Sequence, residues 1–447
     1  MARRRLNANH VPVPDPDLTP RAMAERAAAM RPALRQRQAA TEAARRILGE
    51  TNDEFVRAGF YRILQPRRFG GYEFDLPTFV RVAMEVSRGC PSSGWVVTFT
   101  AGHTHVFAKF PEQAQAEAYG SDGEFRAPFV GNALNPSVQE VDGGYRVSGA
   151  WDYASGCDTA THFFGAVFLP LAQPAGPSGG SLLFLFDRKD FEIVDNWEML
   201  GMRGTGSKRV RVKDVFVPAH RVNRRDWLER SDEPDILRPF DRAQGRQAQD
   251  AAPGYGLFAN PMYAGPSGNV LMAEIAAVAV GTGFCALDAY EEILKTRTLR
   301  GPSGTSRAES PEHQRNYGHA HALLATAGAA LIGCAEEYME ACRLEVEEGV
   351  RFDSEKSQHL TLIEQQVTRL AGEAVDILIR SAGSSASRPG SMLERCFRDM
   401  VTLRTHTTLQ LDRYFEGFGR VHFGLGPGSP FAAAPAAAER TTFDALP

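Results

Sequence analysis

The sequence predicts an α+β protein in three parts: a helical N-terminal domain, a small β domain and a C-terminal four-helix bundle. Three observations carry this. Helix-spaced apolar positions fill the first quarter of the chain. After Arg126 the texture changes to short alternating runs punctuated by Gly, Pro, Asn and Asp. Beyond about residue 269 come four long helical patterns separated by Gly/Ser/Pro breaks, the signature of an antiparallel bundle.

Residues 1–20 carry Pro12, Pro14, Pro16 and Pro20 and read as an extended arm. Residues 21–126 form the helical domain. Ala, Arg, Glu and Leu recur at helical spacing up to Gly59, a loop spans 65–72, and helical pattern resumes over 76–88 and over 93–119, interrupted near Pro111. The β domain covers 127–226. Gly143-Gly144 marks a turn, after which Tyr145, Val147, Gly149, Trp151, Tyr153 and Ser155 share one strand face. Further strands are expected at 163–169, 181–186, 191–194, 209–212 and 215–217, enough for a barrel or sandwich. Residues 227–268 read as a long loop, a length that usually marks function or disorder. The bundle, 269–424, takes helices over 270–296, 311–347, 357–382 and 393–415. The tail, 425–447, is Pro/Ala-rich.

Composition narrows the function. With 447 residues, 43% hydrophobic and 23% charged, the chain can bury a large core. The net charge of −4 disfavours nucleic acid as a partner. The most apolar run, 275–287, is about half of a membrane span and reads as a core helix, so no membrane role is expected. The six cysteines lack any CxxC pair and suggest free thiols in a reducing cytoplasm. Neither a Walker loop, nor a GxGxxG opening a helix, nor a GxSxG elbow is present. His103/His105 and His319/His321 are spaced two apart, which on a helix points them to different faces. No metal site is therefore expected.

Three stretches remain: GAWDYASGCD (149–158), GMRGTGS (201–207) with DVFVP (214–218) behind it, and Arg398-Asp399 with His406 on the last helix. In this order, over roughly residues 25 to 425, they resemble the acyl-CoA dehydrogenase fold. Within it they resemble the group D, two-component flavin-dependent monooxygenases, of the 4-hydroxyphenylacetate hydroxylase oxygenase type.

The resemblance implies a homotetramer with the flavin between β domain and bundle. It places Tyr153, Ala154 and Ser155 beside the isoalloxazine, the Ser155 hydroxyl and amide facing N5 and O4. A flat aromatic can shield one ring face, and a small hydroxyl can bond N5 without blocking substrate. Trp151 reads instead as packing. Thr205 and Ser207 contact flavin or shape the turn, and Asn132 lies on the loop lining the flavin pocket. Arg297 matches an arginine reaching the flavin phosphate of a neighbouring subunit; the alternative is a solvated helix-end charge. Gly383 and Ser384 match a Gly-rich turn whose amides approach the cofactor.

Dehydrogenase and oxygenase separate near His406. Common acyl-CoA dehydrogenases carry a proton-abstracting Glu eight positions after the Asp, where this chain has Thr407. Some dehydrogenases keep that Glu on another helix. His406 falls where the monooxygenases carry a His close to the flavin, and SSGWVVTFTAGH ends in a match for their substrate-facing His, His103. The implied activity uses O2 and reduced flavin (FMNH2 or FADH2) from a separate reductase. Through a C4a-hydroperoxide it hydroxylates a phenolic or polycyclic aromatic substrate. Ser155 then serves N5, His406 the peroxide, and His103 is the base that activates a phenol or a core histidine. The other readings are an acyl-CoA dehydrogenase with a displaced base, an N-oxygenase of an amino substrate, and a non-catalytic relative. The chain departs from the pattern after SGCD, where Thr159-Ala160-Thr161-His162 replaces an immediate His, and in 227–268, which has no clear counterpart.

Overall fold

The computed structural model describes residues 11–168, 181–223, 253–299 and 304–425. The N-terminal helices are α1 (Pro20–Ala44), α2 (Gly49–Ala58), α3 (Leu76–Gly89), α4 (Pro91–Phe107) and α5 (Glu112–Tyr119). Arg45, at φ 52°, ends α1, so the single run expected up to Gly59 is two helices. Thr19 and Asp75 cap α1 and α3, each accepting a backbone N–H of the first turn. Of the expected arm, 1–10 lie outside the described residues, whereas Val11 bridges to Phe69 and is buried.

The β domain is a sandwich of two four-stranded sheets. One has the order β1 (Phe129–Val130), β4 (His162–Phe168), β5 (Ser181–Asp187), β8 (Val222–Asn223). The other runs β2 (Leu134–Val141), β3 (Gly144–Ala154), β7 (Lys208–Pro218), β6 (Phe191–Val194). The two strands expected over 209–217 are one strand, β7, bent where Asp214 takes φ 49°. Val147, Trp151, Phe163, Phe184 and Val212 fill the space between the sheets. Trp151 is fully buried, its indole over Gly165 and its Nε1–H donating to the Ala166 carbonyl at 2.9 Å, which is the packing role expected of it.

The expected single face of β3 breaks at its end. The register shifts between Trp151 and Ala154, and Tyr153 takes φ 69°, so Ala154 turns into the core and Tyr153 outward. The period-2 rule puts Tyr153 beside Trp151; the bulge reverses it.

Part of the expected loop 227–268 is folded: α6 (Pro253–Phe258) and a turn at Pro261–Ala264 follow residues 224–252, which lie outside the described residues. The bundle has α7 (Ser267–Thr296), α8 (Pro311–Glu348), α9 (Ser354–Ala382), α10 (Met392–Leu403) and α11 (Leu411–His422). The last helix is thus split, and His406 sits in the turn between α10 and α11, not on a helix. The local sequence Thr405-His406-Thr407-Thr408 explains this, since these residues are weak helix formers and Thr405 Oγ1 bonds the Thr402 carbonyl instead. By length and hydropathy α7 and α8 could each cross a membrane, so the apolar run is longer than the sequence pattern indicates. Yet 89% of the apolar window of α7 is buried inside the protein, against 33% for α8.

Candidate active site

A cavity of about 830 Å³ opens where the end of β3 meets α4, α7 and the α10–α11 turn. His103, Asn132, Tyr153, Ser155, Thr205, Ser207 and His406 all line it. Ala154 does not, since its side chain lies in the sandwich core.

The loop carrying Thr205 and Ser207 is held by α10. Asp399 accepts the Met202 N–H at 2.5 Å, and Arg398 donates to the Leu200 carbonyl at 2.7 Å. Burial raises the Asp399 carboxyl to about 7. A Cβ on Gly201 would stand 2.0 Å from the Arg398 carbonyl oxygen, which explains the first glycine of GMRGTGS. Gly201→Ala is therefore expected to destabilise the fold by about 3 kcal/mol, read as a lowered midpoint in thermal or urea unfolding.

The loop delivers a chain of hydroxyls whose direction is fixed by its ends. Trp95 Nε1–H, which can only donate, bonds Ser155 Oγ at 2.9 Å. Ser155 and Ser207 are 2.7 Å apart, Ser207 and Thr205 2.6 Å, and Thr205 donates to the Met202 carbonyl at 2.8 Å. With one proton per hydroxyl, every bond must point from Trp95 towards Met202. Ser155 therefore spends its proton on Ser207 and keeps one lone pair as an acceptor. Its amide N–H is engaged too, donating to the Tyr153 carbonyl at 2.9 Å, so the amide half of the expected flavin contact is already taken.

Trp95 and Phe99 stack with centroids 4.1 Å apart, and His406 lies against both, at 5.7 and 6.5 Å. The two histidines are oppositely polarised. His103 Nδ1 lies 2.7 Å from the Ala127 carbonyl, which can only accept. Its proton is thus on Nδ1, and Nε2 is a bare acceptor. His406 Nδ1 receives the Thr408 N–H at 3.4 Å and meets Thr408 Oγ1 at 2.8 Å, so its proton is on Nε2, a donor. Burial lowers both imidazoles to about 4, which keeps them neutral at pH 7. Tyr153 is 64% exposed, its ring edge-on to Trp197 at 5.9 Å.

One residue escaped the sequence reading. Glu274 on α7 lines the cavity, is fully buried, and has no hydrogen-bond partner on either oxygen among the described residues. Its Oε2 is 3.9 Å from His103 Nε2, and burial pushes its carboxyl well up. A signal existed: it is a lone carboxylate in the apolar run MAEIAAVAV.

Three expected cofactor residues stand apart. Arg297 ends α7 and donates to Ser385 Oγ at 2.5 Å, next to Gly383 (φ 81°) and Ser384. None lines the cavity of its own chain. Of the paired histidines, His105 faces Ser267 Oγ and the Met262 carbonyl, at 3.2 and 3.0 Å. Among the described residues no three His, Cys, Asp or Glu side chains group as metal ligands.

A β sandwich docked on an antiparallel bundle, with an aromatic, hydroxyl-edged cavity at the junction, defines the acyl-CoA dehydrogenase class of fold. The family described as acyl-CoA dehydrogenase, C-terminal domain, matches residues 273–411. The oxygenase subunit HsaA, a flavin-dependent monooxygenase of Rhodococcus jostii, is 31% identical over 90% of this chain and 98% of its own length. The oxygenase component of an FADH2-dependent resorcinol hydroxylase from a Rhizobium strain is 28% identical, covering 87% of this chain and 90% of that one. Among solved structures, XiaF of a Streptomyces species in complex with FADH2 and glycerol superposes with a TM-score of 0.78 at 25% identity, over 91% of this chain and 96% of that one. The chain belongs to the flavin-dependent monooxygenases, as an oxygenase component of the acyl-CoA dehydrogenase fold.

Proposed function

We propose that this chain takes reduced flavin, FMNH2 or FADH2, from a separate reductase and hydroxylates a phenolic or polycyclic aromatic compound with O2. The carrying observation is the directed hydroxyl chain, which leaves Ser155 one acceptor lone pair in a cavity that two neutral histidines of opposite polarity also line. A reduced flavin carries an N5–H, and an acceptor is what that edge needs, so the residues present fit the group. When bound, reduced flavin supplies the electrons and the carbon that activates O2. Ser155 and, through it, Ser207 and Thr205 hold its edge; Tyr153 covers a ring face and Asn132 lines the pocket. Trp95 and Phe99 keep water from the site. His406 Nε2–H donates to negative charge developing on oxygen, and His103 Nε2 accepts the proton of a phenol.

Ser155→Ala should weaken reduced-flavin binding about 10-fold, measured by anaerobic titration. With a flavin reductase, NADH and phenols it should also release more hydrogen peroxide per NADH. Unchanged binding and unchanged peroxide would remove Ser155 from the site.

The resemblance gives Arg297, Gly383 and Ser384 a cofactor contact, and since they lie outside their own cavity that contact would fall on a flavin in a neighbouring copy, as in a homotetramer. The apolar window of α8, only 33% buried, and exposed Phe415, Phe423 and Leu425 on and after α11 favour the same assembly. Light scattering should give four copies, and Arg297→Ala should weaken flavin binding without moving the cavity. The six cysteines, all buried, fit a cytoplasmic protein.

A second reading has one observation in its favour. Glu274 is a carboxyl inside the cavity, as a dehydrogenase with a displaced base requires. Reduction of bound flavin by an acyl-CoA would select it.

A further inference from the structure

We infer that Glu274 is a specificity-determining residue which, as a neutral acid opposite His103, clamps a hydroxyl group on the aromatic substrate. The inference rests on the aromatic oxygenase reading above and adds to it the group by which the ring is recognised.

The geometry begins on α4. At Gly102 an added Cβ would stand 1.8 Å from Glu274 Oε1, so this glycine leaves the space that the carboxyl fills. The next residue, His103, is turned by the Ala127 carbonyl so that Nε2 is a bare acceptor. Around the pair are Phe99, Phe129, Leu271 and Ile275, all lining the same cavity. No cation within ion-pair distance of Glu274 is found among the described residues; its one such neighbour is the neutral His103. A charged carboxylate there would be desolvated without compensation, so the group holds its proton. It then presents one O–H donor and one carbonyl acceptor, both without a partner among the described residues.

The 3.9 Å between Glu274 Oε2 and His103 Nε2 is too long for a hydrogen bond. It suits a bridge. An oxygen about 2.8 Å from each atom closes a triangle over the gap, accepting from Glu274 O–H and donating its own proton to His103 Nε2. A phenolic hydroxyl has this one donor and these acceptor lone pairs. An aryl methyl ether can accept but has nothing to give His103. An unsubstituted hydrocarbon leaves both protein groups orphaned, which costs more than a missing attraction because both are buried. The clamp therefore selects for the hydroxyl itself and sets the distance from it to the flavin side of the cavity.

The test uses the full chain, without flavin, and 2-naphthol, 2-methoxynaphthalene and naphthalene as probes, with tryptophan fluorescence as the binding signal. The wild type should bind 2-naphthol about 10-fold or more tighter than either analogue. Glu274→Leu should lose that preference. Glu274→Gln, which keeps a donor of similar shape, should hold it within about 3-fold of wild type. Should the leucine variant fail to fold, the glutamine variant decides alone: preference kept supports the clamp, preference lost overturns it. Loss in Glu274→Gln would mean the carboxylate acts as a charged base or binds a cation. Equal affinities of the wild type for naphthol and its ether would overturn the clamp as well, and would fit a resident water as the bridge. The oxygenase reading is judged apart, by product formed from 2-naphthol with reduced flavin and O2. Binding preference without product sinks that reading and leaves the clamp; product without preference does the reverse.

Discussion

His103→Ala is expected to lower oxygen insertion into a phenolic probe by about 10²–10⁴-fold, the usual contribution of a positioned general base. The Ala127 carbonyl fixes the imidazole with its proton on Nδ1, so Nε2 is already an acceptor before substrate arrives. Burial lowers this imidazole from an ordinary 6.5 to about 4. A base must be unprotonated to act, so activity should fall as pH drops through about 4 and not as it drops through 6.5. Between about pH 7 and pH 5 the wild-type kcat/KM for the probe should be flat on the acid side. A limb near 6.5 would show that His103 is more hydrated than the cavity indicates.

His406→Ala is expected to divide the reaction differently. Its Nε2–H is a donor set by Thr408 on the opposite edge of the ring, and Trp95 and Phe99 pack against the imidazole. Removing one preorganised donor to developing oxyanion charge usually costs about 10²–10³-fold. NADH oxidation by the coupled reductase should continue while hydroxylated product falls by that order and hydrogen peroxide rises to match. His103→Ala should leave the donor intact, so its peroxide-to-product ratio reports the missing base alone. If the two variants give the same ratio, the opposite roles assigned to the two rings are wrong.

Much of the fold was legible because periodicity survives in long elements. The helix starts at 311 and the ends at 296 and 382 follow directly from Pro and Gly breaks, and β4, β5 and β6 from turn spacing. What escaped the pattern has a backbone cause. The bulge with Tyr153 at φ 69° reverses the strand face at the site itself. The turn around His406 interrupts apolar positions, Met400, Leu403, Leu411 and Tyr414, that keep helical spacing on either side of it. Ser155, Thr205 and Ser207 were found because SGCD and GMRGTGS are distinctive strings, yet their coupling through Trp95 and Met202 depends on contacts 60 residues apart and is invisible in either string. Glu274 was missed because a buried carboxyl has no motif. It acquires meaning only when Gly102 and His103 are brought against it.

The most direct test of the account is oxygen isotope transfer. Purified protein, supplied with reduced FMN or FAD by a separate reductase and mixed with labelled O2 and a phenolic substrate, should yield product carrying one labelled oxygen atom. Product whose oxygen comes from water, or flavin reduced by an acyl-CoA with no oxygenated product from any phenol, would contradict it.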